Sequence, residues 1–152
     1  MRKGIERFGT LRCLMNLTKS AKGVLSELAI AGYYVNQGWV VYTPFTHDTE
    51  IDLIVTKGPR FKRIQVKTVY LDGSILRANV HKDGSAKYSP DSVDILAAVW
   101  YGGVHCSMTN SRTWVIPMED IESETTLNFG KADGSPSNTR GNFKHEKYEV
   151  IQ

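Results

Sequence analysis

Hydrophobic and polar positions follow a helical rhythm first. Val24, Leu28, Ala31 and Val35 recur at spacings of four, three and four, which is one stripe on an α-helix. Thr18 or Ser20 can cap its start and Gly38 stops it, so the pattern predicts a helix over 20–37. Trp39-Val40-Val41-Tyr42 is a continuous apolar run, as expected of a strand covered on both faces, and Pro44 ends it. After a polar loop over Thr46–Glu50, the segments Ile51–Thr56 and Phe61–Thr68 flank Lys57-Gly58-Pro59-Arg60. That arrangement predicts a β-hairpin.

Later segments read as strands at Ser74–His81 (after an Asp72-Gly73 turn), Val93–Tyr101, Thr113–Ile116 and, at an edge, Thr125–Phe129. Pro117–Ile121 predicts a turn or short helix, and the Gly-, Ser- and Asn-rich run Gly130–Asn142 a loop. There is no internal repeat. The expectation is a single domain over 18–152 with one good helix and six or seven strands. It follows a basic arm, 1–17, that carries Arg2, Lys3, Arg7 and Arg12; Met15 within the arm is an alternative start.

Composition narrows the class. A chain of 152 residues that is 41% apolar can bury a real core as one α/β unit. A net charge of +3 and a pI of 8.8 permit a nucleic-acid partner without requiring one. Cys13 and Cys106 match no metal-ligand spacing and read as reduced thiols. No run is apolar enough for a membrane span, and residues 1–17 lack the centre of a signal peptide, so a cytoplasmic location and no membrane partner are expected.

Charges that interrupt core segments carry the chemistry. Asp52 stands between Ile51 and Leu53, where an unpartnered carboxylate would be costly. Gln65 and Lys67 lie two apart in the next strand and leave the same face of the pleat. Glu27 lies roughly 60–80° from the centre of the helical stripe, at the edge of the predicted buried face. Two carboxylates, an amide oxygen and an ammonium converging on one edge suit a Mg²⁺ ion holding a scissile phosphate. His47 and His81 have no partner at ligand spacing and read as ordinary histidines.

In the order helical Glu27, strand Asp52, hairpin Gln65-x-Lys67, the segment Lys22–Thr68 resembles the PD-(D/E)XK nuclease superfamily. It is most similar to a Gln-x-Lys subgroup that includes an intron-encoded homing endonuclease. The archaeal Holliday-junction resolvases share helix and hairpin but keep Glu-x-Lys. Pro44 lies eight residues before Asp52, farther than the family pattern, and Gln65 removes one negative charge from the metal site. The resemblance implies a restriction-endonuclease-like core: a mixed β-sheet with one main N-terminal helix. It also implies a Mg²⁺-dependent, site-specific endonuclease, with Mn²⁺ able to substitute, acting on double-stranded DNA as a homo-dimer or tetramer.

In that reading Asp52, Glu27, Gln65 and the Val66 carbonyl hold or order the metal, and Lys67 serves the nucleophilic water or the transition state. The alternatives are a junction resolvase and a DNA-binding protein with a degenerate site. For DNA contacts the candidates are Arg60, Lys62 and Arg63 on the hairpin, Arg77 and Asn79 on one strand face, and Lys82; Lys87, Arg140, Lys144 and Lys147 are further cations.

Overall fold

The computed structural model describes residues 17–46, 48–81, 88–102, 111–121, 125–135 and 144–150. Helix α1 spans Lys19–Asn36; the Thr18 side chain accepts the Ala21 N–H, and the chain leaves the helix through Gly38 at φ +77°. Both ends agree with the sequence pattern, but the buried face does not. Ser26, Ile30 and Tyr34 pack inward, while Val24, Leu28 and Val35 are exposed. The inward face uses a small hydroxyl and an aromatic ring, which apolar periodicity undervalues.

The remaining elements are β1 (Val40–Tyr42), β2 (Leu53–Lys57), β3 (Arg60–Thr68), β4 (Tyr70–Asp72), β5 (Ile75–Asn79), β6 (Ile95–Tyr101), β7 (Ser111–Pro117), β8 (Thr126–Lys131) and β9 (Glu149–Val150). Among the described residues, 3₁₀ turns are also found at Met118–Asp120 and His145–Tyr148. The nine described strands exceed the six or seven expected, because β4 and β9 are too short to leave a periodic signal.

Six strands form one mixed sheet in the order β1-β2-β3-β6-β7-β9, and β3–β6 is its parallel pair. Contrary to the continuous apolar run, β1 is an edge strand with Val40 and Tyr42 exposed. The hairpin forms as expected: Lys57 pairs with Arg60, and Gly58 takes φ +60° at the turn.

One face of this sheet packs on α1 through Ile30, Tyr34, Leu53, Val55, Ile64, Val66, Ile95, Ala97 and Val99. The other face packs on a three-stranded sheet, β4-β5-β8, through Leu96, Ala98, Trp114, Leu76, Leu127 and Phe129. With a core on each side, β3 places Ile64 and Val66 toward the helix and Gln65 toward the second sheet. A buried Ile such as Ile30 is worth about 1.5–3 kcal/mol, against little for the exposed Val24. The helix is therefore held by the face whose neighbours include Glu27.

Candidate active site

Asp52 lies at the entry to β2, where its backbone N–H donates to the Ile64 carbonyl at 2.9 Å. That bond turns its side chain onto β3. Oδ2 accepts the Val66 N–H at 2.7 Å and the Gln65 amide Nε2 at 2.5 Å. Burial pushes the Asp52 carboxyl above the usual carboxylate range, against the Val66 N–H, the charge of Lys67 and the Gln65 amide, which favour the ion. The carboxylate is thus held in place while its charge is incompletely compensated.

Gln65 is buried, and its Nε2 also lies 3.2 Å from the Val66 carbonyl. Lys67, on the same face, donates from Nζ to the Tyr88 hydroxyl at 2.8 Å. Glu27, half-buried, follows Ser26, whose hydroxyl lies 2.7 Å from that of Thr68. The Ser26–Thr68 contact fixes this helical turn beside the end of β3, one residue beyond Lys67. The structure therefore joins Asp52, Gln65, Val66 and Lys67 on the hairpin and brings the Glu27 turn to the adjoining strand end.

Among the described residues no three His, Cys, Asp or Glu side chains are grouped to hold a metal ion. The available donors are oxygens: the Asp52 carboxylate, the Val66 carbonyl and, after a half-turn of the amide, Gln65 Oε1. A hard cation that keeps several waters fits such a set, and its charge would offset the burial that disfavours ionised Asp52.

The DNA candidates separate. Arg63 is expected to face DNA, but its part-exposed guanidinium is engaged by partners within the chain. It donates to the Asp94 carboxylate at 2.9 and 3.1 Å and to the Pro90 and Asp91 carbonyls. Arg77 is bonded to Asp72 and to Asn128, and Asn79 accepts from the Tyr70 hydroxyl at 3.0 Å. Both side chains thus belong to a polar lattice on the outer face of the second sheet.

Arg60 lies over the Trp39 ring, and by strand alternation Arg60 and Lys62 sit on the face opposite Gln65 and Lys67. Lys147 pairs with Asp120 at 3.6 Å. His81 contacts the Thr125 carbonyl, in keeping with an ordinary role. Lys82, Lys87, Arg140, His47, Cys13 and Cys106 lie outside the described residues. The partner that sequence reasoning missed is Tyr88: it lies 21 residues from Lys67, and no local pattern links the two.

A family model described as PD-(D/E)XK endonuclease matches residues 17–146, and the chain belongs to that family. Fold and family together define a nuclease. Protein 5.3 of Escherichia phage T7 is 25% identical over 113 residues, spanning 72% of this chain and 88% of that protein. A solved bacterial homing endonuclease, I-Ssp6803I, matches with a TM-score of 0.68 at 14% identity, covering 88% of this chain and 89% of its own. At that identity the likeness shows a common fold.

Proposed function

We propose that this protein is a divalent-metal-dependent, site-specific endonuclease of homing type that hydrolyses phosphodiester bonds in double-stranded DNA. The observation that carries the reading is the hairpin constellation. Asp52 is clamped by the Val66 N–H and the Gln65 amide, and the Lys67 ammonium projects from the same face of β3 as Gln65.

Mg²⁺, with Mn²⁺ as substitute, would be held by Asp52, the Val66 carbonyl and Gln65, with Glu27 ordering its waters; when bound it polarises phosphoryl oxygens and acidifies water. Lys67 directs donors at the attacking water or at the phosphoryl oxygen where charge accumulates. Water oxygen bonds to phosphorus as the P–O3′ bond breaks, leaving a 5′-phosphate and a 3′-hydroxyl that takes the proton. Arg60 and Lys62 are free of ion pairs among the described residues and are the hairpin cations offered to phosphates.

One chain carries one such site and cuts one strand, so double-strand cleavage requires a homo-dimer or tetramer. The exposed Val24, Leu28 and Val35, at a four-and-seven spacing on α1, supply an apolar seam for it. A DNA-binding protein with a degenerate site is the second reading, because Asp52 and Gln65 already satisfy each other without a cation.

The test compares wild type with Lys67→Ala on a genomic DNA library and on a four-way junction, in Mg²⁺ and in Ca²⁺. The expected result is Mg²⁺-dependent cutting at a few library sites, abolished in the variant while binding in Ca²⁺ persists. Preferential junction cutting would indicate a resolvase. Binding without cutting would support the degenerate site, and equal cutting by the variant would refute the assignment of Lys67.

A further inference from the structure

Resting on that reading, we infer that Tyr88 is the positioning residue for Lys67, and that Arg63 serves it by fastening the segment 88–94 to β3. A lysine side chain has four carbons of rotational freedom, and ordering it costs up to about 2 kcal/mol. In this site the ordering is built in. Tyr88 is buried in the core between the two sheets, and its hydroxyl accepts from Lys67 Nζ at 2.8 Å. Nζ also lies 4.8 Å from the centre of the same ring.

A phenol suits the task better than a carboxylate would. It takes one of the three ammonium N–H donors and leaves two for a water and a phosphoryl oxygen, without neutralising the charge. Tyr88 is itself located from β3. Arg63, Gln65 and Lys67 alternate onto one face, and the Arg63 guanidinium reaches the Pro90 and Asp91 carbonyls and the Asp94 carboxylate. Asp94 returns two bonds: its Oδ2 accepts the Arg63 backbone N–H at 2.7 Å, and its own N–H donates to the Arg63 carbonyl at 2.9 Å. The segment is therefore gripped at both ends by one strand, with Gln65 between the two grips.

Tyr88→Phe tests this, because it keeps the ring in the core and removes only the acceptor. Single-turnover cleavage of the preferred site should fall about 10–100-fold, while the Kd for DNA in Ca²⁺ and the melting temperature stay unchanged. In the metal-free, DNA-free protein, ¹⁵N relaxation of the Lys67 ammonium should change from ordered to freely rotating. An unchanged cleavage rate or an unchanged ammonium order in Tyr88→Phe would overturn the inference. The two readings fail separately. If Lys67→Ala is inactive but Tyr88→Phe cuts normally, the nuclease reading stands and the positioning role does not. If Lys67→Ala cuts normally, the assignment of Lys67 fails and the positioning role with it, and if neither wild type nor variant cuts any DNA, the nuclease reading itself fails. The ammonium measurement needs no substrate, so it decides the structural half of the inference even where no DNA site is cut.

Discussion

Replacing Asp52 by Asn should separate stability from activity in opposite directions. Burial raises the Asp52 carboxyl above its ordinary range in the folded chain. A raised folded value means that folding favours the protonated acid, so the metal-free protein loses stability as pH rises through that value and keeps the penalty at neutral pH. Asn cannot ionise, yet its Oδ1 can accept the same Val66 and Gln65 donors. Relieving such a functional-site penalty is worth about 1 kcal/mol, or roughly 2–4 °C in Tm for a chain of this size. In wild type a cation at ten times its Kd would return a comparable RT ln 11, about 1.4 kcal/mol. Calorimetric melting at pH 7, with chelator and then with millimolar Mn²⁺ or Mg²⁺, should show the variant melting higher without metal and the wild type alone gaining on metal addition. Cleavage by the variant should be lost. A lower metal-free Tm in Asp52→Asn, together with no metal-induced rise in wild type, would refute the reasoning.

Other substitutions probe the neighbouring residues. Gln65→Glu would set a second carboxylate at the 2.5 Å contact with Asp52, so it should lower the metal-free Tm and enlarge the metal-induced rise, with cleavage retained; melting with and without Mg²⁺ reads both. Arg63→Ala should lower Tm by several degrees, whereas Arg60→Ala should leave Tm unchanged and weaken DNA binding, reducing its salt slope by about 1. Because Arg63 holds the Asp94 carboxyl below its ordinary range, the stabilisation by that pair is present at neutral pH and lost as pH falls through the lowered value; Arg63→Ala should flatten the acid limb of the stability curve. Leu28→Glu on the exposed helical seam should reduce the sedimentation coefficient if that seam joins protomers, and leave it unchanged if another face does.

Legibility from the sequence followed the range of each interaction. The cap at Thr18, the stop at Gly38 and the turn at Gly58 are decided within a few residues, and the structure has all three. The inward face of α1 was not legible, because a helix that meets a sheet through Ser26 and Tyr34 hides its contact from an apolar stripe, while Val24, Leu28 and Val35 turn outward. Glu27 nevertheless falls beside the buried face, since it is three residues from Ile30, about 60° around the helix. The hairpin placement of Asp52, Gln65 and Lys67 was readable because strand alternation is local. The fates of Arg63 and Tyr88 were not, for their partners lie 21 to 31 residues away and depend on the parallel pairing of β3 with β6.

The parallel pairing has a dynamic consequence. β3 is hydrogen-bonded on one side to β2 as far as Ile64 and on the other to β6 over Ile64–Thr68, so its laddered amides are protected until the sheet opens, while the Val66 N–H, beyond the end of β2, is covered by the Asp52 carboxylate. Segment 88–94 has no strand ladder of its own; Tyr88 and Val93 in the core and the bonds from Arg63 and Asp94 hold it, so its release needs only those contacts to part and comes before the sheet opens. On warming, the ammonium would lose its phenol anchor while the carboxylate remained seated, and catalytic output would decline some degrees below the temperature at which the fold melts.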